Sequence, residues 1–164
     1  MGTKRVGWAR IRSLINENTA NQISAPRCKV DNSLLNTGAA VTTTLTQAQG
    51  GTHFNIDGTD DIVVNMPALS TSNVGLHYSF LVTTAVGGGK TVTFVHPAGG
   101  DWSGQIFLYG GASYPTSDVA GDTITLVAST GANARVSMMC VSDNGTAATW
   151  QCTISADQIA TIAN

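Results

Sequence analysis

Two hydrophobic rhythms divide this chain. Near the start the apolar positions are Trp8, Ile11, Leu14 and Ile15, at helical spacing, while Arg10, Arg12, Asn16 and Glu17 fall largely on other faces. The spacing predicts a helix of about three turns ending near Asn18, too short to hold without packing its stripe on something. Residues 19–38 are polar and irregular, with Pro26 and two basic residues flanking Cys28, and read as a linker. From Val41 the period becomes two. Strands are predicted at residues 41–46 (VTTTLT), 61–66 (DIVVNM, stopped by Pro67), 76–82, 91–95 (TVTFV), 105–109 (QIFLY), 123–128, 135–141 and 149–154. In the third of these Leu76, Tyr78, Phe80 and Val82 alternate with His77, Ser79 and Leu81, giving one aromatic face. Gly87-Gly88-Gly89 and Asn144-Gly145 read as hairpin turns. Residues 156–164 fit either a short helix or a last strand. No repeat of fixed period is visible.

About eight short strands with turn residues between them predict a mostly β fold, an antiparallel β-sandwich or barrel, carrying a short N-terminal helical arm. The boundary falls between an arm with linker, 1–38, and a body, 39–164. Composition supports a β body: the 164 residues are 42% hydrophobic but only 11% charged, and Glu17 is the sole Glu. Long solvated helices need more Glu and Lys on their outer faces.

Charge sharpens the division. Six of the eight Lys and Arg residues lie within residues 1–29, which carry +5, whereas residues 30–164 carry −7. A basic, Trp-bearing arm on an acidic body is expected to dock, with Lys4, Arg5, Arg10 and Arg12 meeting an acidic surface and Trp8, Ile11, Leu14 and Ile15 filling a groove. The alternative is a helix folded back on its own sheet. Nucleic acid is disfavoured as a partner, because the body would repel a polyanion. No apolar run suits a secretion signal or a membrane span, so no membrane partner is expected.

Candidate chemistry is sparse. The Gly87–Thr91 stretch ends like a phosphate loop, but Thr84 stands where the pattern needs Gly and a strand follows. Around Ser103 the hydrolase elbow is broken by Asp101, and nothing places His53, His77 or His96 beside it. Asp57, Asp60 and Asp61 sit in a turn-forming loop without EF-hand spacing, and the three His residues are too scattered for a metal site. Cys28, Cys140 and Cys152 form no CxxC pair, and a two-residue turn would leave Cys140 and Cys152 offset. No catalytic residues, metal or cofactor are expected.

The opening MGTKRVGWAR resembles the start of small structural proteins from marine and cyanobacterial tailed phages. The run from Val63 to Gly100, with Met66-Pro67, Gly75-Leu76-His77-Tyr78-Ser79-Phe80 and Thr-Val-Thr-Phe-Val, is similar to phage capsid decoration and head-fibre modules. Together these segments cover about a third of the chain. The resemblance implies a non-enzymatic decoration (cement) protein on the outer capsid surface of the virion, assembled in the host cytoplasm. It also implies a homotrimer that contacts the major capsid protein through its N-terminal region. A second reading is a phage appendage that binds host-surface glycans, with Trp102, Tyr109 and Tyr114 as stacking residues.

Overall fold

The structure, a computed structural model, describes residues 29–97, 100–108, 113–116, 123–127, 130–156 and 160–163. The arm residues lie outside these. The described residues form twelve strands: β1 (Lys29–Leu35), β2 (Val41–Thr44), β3 (Thr52–Asp57), β4 (Ile62–Asn65), β5 (His77–Thr84), β6 (Val92–Val95), β7 (Gly100–Leu108), β8 (Ser113–Thr116), β9 (Thr123–Leu126), β10 (Arg135–Asp143), β11 (Ala148–Ala156) and β12 (Ala160–Ala163). They form a seven-stranded sheet, β1-β3-β5-β10-β11-β7-β8, and a five-stranded sheet, β12-β9-β6-β4-β2. The body is therefore mostly β and two-layered, as the period-two pattern predicts.

The connectivity departs from the antiparallel expectation. Five of the ten strand pairings are parallel. From β1 to β6 each successive strand crosses to the other sheet, so the chain winds as three turns of a two-sheet coil. β10 and β9 then add antiparallel beside β5 and β6. The Gly87–Gly89 segment is thus a crossing between sheets and not a hairpin. Residues 29–35, read as linker, form the edge strand β1, and 160–163 form a strand. Asp101–Gly104 lie within β7.

Alternation builds the core. In β3 and β5 the inward side chains Phe54, Ile56, Tyr78, Phe80 and Val82 are buried, while His53, Asn55, His77 and Ser79 face out. Phe54 stacks on Phe80 at 5.4 Å, and Phe80 meets Phe94 of the opposite sheet edge-on at 4.7 Å. Tyr78 stacks on Trp150 and donates its hydroxyl hydrogen to the Thr46 carbonyl at 2.8 Å. Burial pushes that hydroxyl's pKa up to about 12.

The coil's corners stack through backbone contacts. Gly58 N donates to the Thr84 carbonyl and Gly87 N to the Gly58 carbonyl. A Cβ at Gly58 would stand 2.5 Å from the Thr84 oxygen, so only glycine fits there. Lys90 Nζ closes this corner onto Asp61 at 3.2 Å and Asp60 at 3.6 Å. At the other corner the buried Asp143 accepts from Ser70 N at 3.0 Å, Asn73 Nδ2 at 2.8 Å and Gly145 N at 2.8 Å. Burial works to raise its pKa, but these hydrogen bonds and the neighbouring His96 outweigh that and hold it below the ordinary carboxylate value.

Candidate interaction surfaces

The eight arm residues proposed for docking (Lys4, Arg5, Trp8, Arg10, Ile11, Arg12, Leu14 and Ile15) lie outside the described residues, as does Tyr109. Tyr114 falls in β8, its backbone beside Ile106 of β7. Trp102 is the informative correction. It is only 2% exposed, edge-on to His96 at 5.3 Å and 6.3 Å from Trp150. A sugar ring needs an open aromatic face, so Trp102 is core and not a stacking platform. The alternation of β7 accounts for this, since Trp102 points inward beside Trp150 while Ser103 is exposed beside Gln151.

Among the described residues, no histidine of the outer row is brought within reach of Ser103. Ser103 shares an outer row with His77, but Gln151 and Met139 stand between them. At ~4.7–4.9 Å per strand the separation is about 14 Å, far beyond hydrogen-bond reach. His53 Nδ1 and Ser79 Oγ are 2.8 Å apart on the same face. Ser79 lies in an interior strand flanked by β3 and β10, whose ladders take up the local N–H groups, so none is left to stabilise an oxyanion.

The carboxylate loop is likewise committed. Asp61 is bound by the Lys90 ammonium and Thr91 N, which hold its carboxyl below the ordinary range, and Asp57 accepts from Thr59 N. No grouping of His, Cys, Asp and Glu suited to a metal occurs among the described residues. The hairpin register sets Cys140 against Trp150 and Cys152 against Met138, and both thiols are free and buried. The turn is longer than two residues and β10 has a bulge at Val141, yet the cysteines remain offset. Burial raises both thiol pKa values, that of Cys152 to about 11.

What the body does offer is two broad sheet faces of different character. The outer face of the five-stranded sheet aligns Thr42, Val63, Thr93 and Thr125 in one row and Thr44, Asn65, Val95 and Thr123 in the next. None of these is charged, and seven are β-branched, which makes for a stiff, regular surface. The seven-stranded face carries His53, His77 and Arg135 and a shallow depression of about 380 Å³ around Met139. Sequence alternation alone marks both faces, but only the register shows which residues align.

No family model, curated protein or solved structure matches the chain. No helix among the described residues is long and apolar enough to cross a membrane.

Proposed function

We propose that the chain is a virion structural protein, a decoration or cement protein whose basic arm binds the outer surface of an assembled capsid and whose β body is displayed. The observation that carries this reading is the partition of charge and apolar pattern. Residues 1–29 hold +5 with an apolar stripe, and they lead into the edge strand of a body at −7. In this reading Lys4, Arg5, Arg10 and Arg12 meet acidic shell residues while Trp8, Ile11, Leu14 and Ile15 are buried. Exposed ion pairs contribute only ~0.2–1 kcal/mol each, so charge steers the arm and does not hold it. Burying the apolar side chains supplies roughly 1.5–3 kcal/mol apiece. A ligand of the assembled shell alone stabilises that state by mass action.

The bodies associate as homotrimers in this reading, and the uncharged Thr and Val rows of the five-stranded sheet are the surface best suited to contact between copies. Three linked arms raise the effective concentration of each at the shell, turning modest single-arm affinity into lasting decoration.

Sedimentation with purified empty capsids tests the proposal. The full chain is expected to co-sediment in fixed stoichiometry, and a chain lacking residues 1–18 to remain in the supernatant with its β circular dichroism and a cooperative melt retained. A truncated chain that binds shells at full strength overturns the anchor.

A further inference from the structure

Four large hydrophobic side chains are notably exposed among the described residues: Val30 at 55%, Val74 at 54%, Met139 at 43% and Val141 at 44%. The backbone pairing places three of them at one end of the seven-stranded sheet. Met139 stands between His77 and Gln151 in the outer row. Val141 is the extra residue of the β10 bulge. The segment before β5 runs alongside, since Gly75 N donates to the Cys140 carbonyl and Cys140 N to the Leu76 carbonyl, both at 2.9 Å, which brings Val74 next to Val141. Gly75 follows Val74 at φ +88°, and apart from its two chain neighbours nothing lies within 4 Å of where a side chain would begin. The result is an open apolar seat. Met139 also lines the depression, together with His77, Ser137, Gln151 and Thr153, none of them an acid, lysine or arginine.

We propose that in the free protein this seat is occupied by the apolar stripe of the chain's own arm, residues 8–15, which leaves it when the arm engages a shell. The inference rests on the anchor reading above and adds a resting state to it. Three arguments select this occupant. The +5 of residues 1–29 and the −7 of residues 30–164 draw the two parts together before any contact forms. The tether reaches: the fourteen residues from Ile15 to Lys29 span up to roughly 46–50 Å, whereas β1 and β10 lie three strands apart, about 14 Å. The seat is also small. Three side chains fall well short of the ~800 Å² per partner that a stable dimer buries, but a tethered segment is held at an effective concentration near the millimolar range and needs far less.

The consequence is a toll on decoration. The apparent affinity for shells is lowered by the fraction of arms that are off the seat. Freeing the arm should therefore tighten binding.

Acrylamide quenching of tryptophan fluorescence reads the resting state in the full chain without shells, because Trp102 and Trp150 are buried and Trp8 is the third tryptophan. Wild type is expected to resist quenching. The Met139→Lys/Val141→Lys protein should gain a quenchable component that vanishes when Trp8→Phe is added, and it should bind empty capsids two- to tenfold more tightly. Both altered side chains are exposed, so unchanged β circular dichroism and a single cooperative melt serve as the control for folding. Equal quenching of wild type and double variant overturns the seat, even if both bind shells and the anchor stands. Unmasked Trp8 with no shell binding by either protein overturns the anchor and leaves the seat as a plain self-packing contact. A dimer in light scattering that the double variant loses would assign the seat to a second copy and overturn the proposal.

Discussion

Phe80 of the seven-stranded sheet meets Phe94 of the five-stranded sheet edge-on, with ring centroids 4.7 Å apart. This contact joins the two layers at the third turn of the coil, where β5 and β6 are consecutive in sequence and lie in opposite sheets. Phe94→Ala should cost ~3–5 kcal/mol, since neighbouring rings cannot collapse into the space left. Thr93→Ala, one residue away on the outer face, should stay within about 0.5 kcal/mol. Urea unfolding of the two variants measures the contrast, and equal losses would refute the placement of Phe94 between the layers.

Gly58 and Gly88 should respond oppositely to alanine. A Cβ at Gly58 meets the Thr84 oxygen at 2.5 Å and Val86 N at 2.9 Å, both backbone atoms that cannot turn aside. Gly58→Ala should destabilise by ~1–3 kcal/mol. At Gly88 the space is open, so Gly88→Ala should be neutral or gain up to ~1 kcal/mol through the unfolded chain. Thermal melts of both proteins check this.

Asp143 predicts an acid-side loss of stability. Its folded-state pKa is depressed, so its contribution is fully present above the ordinary value of 3.8 and is lost as pH falls through the lower folded value. Asp143→Asn should flatten that part of the pH–stability curve. It should also cost ~1–3 kcal/mol at neutral pH, because an amide presents a donor where Ser70 N, Gly145 N and Asn73 need acceptors. An unchanged acid slope in the variant would count against this role.

The cysteines should be silent in the native state. Cys140 and Cys152 are buried with raised thiol pKa values, which keeps the reactive thiolate scarce. A Cys28→Ser protein should show no fast-reacting thiol with a disulfide reagent until denaturant is added, when two appear. Rapid labelling of the folded variant would contradict the burial.

What was legible in the sequence is what depends on neighbours along the chain. Alternation in 76–82 marked a strand and its buried face, because side chains two apart share a face whatever the partner strand is, and 135–141 was legible as a strand. The Asn144-Gly145 turn identified the β10–β11 hairpin for the same local reason. Partner choice was not legible. The coil's turns differ in length: Val41 lies beside Ile62, 21 positions on, and Ile62 beside Val92, 30 positions on, so no fixed period betrays the parallel stacking. A glycine-rich loop after a strand reads alike whether the chain folds back or crosses to another sheet, and here the contacts of Gly58 and Phe94 decide for crossing. Trp102 could be read as surface or core until β7 paired with β11 and set it beside Trp150. The charge division between arm and body belongs to the sequence alone. The grouping of Val74, Met139 and Val141 belongs to the tertiary structure, because a bulge and a strand pairing bring together residues that sequence keeps more than sixty positions apart.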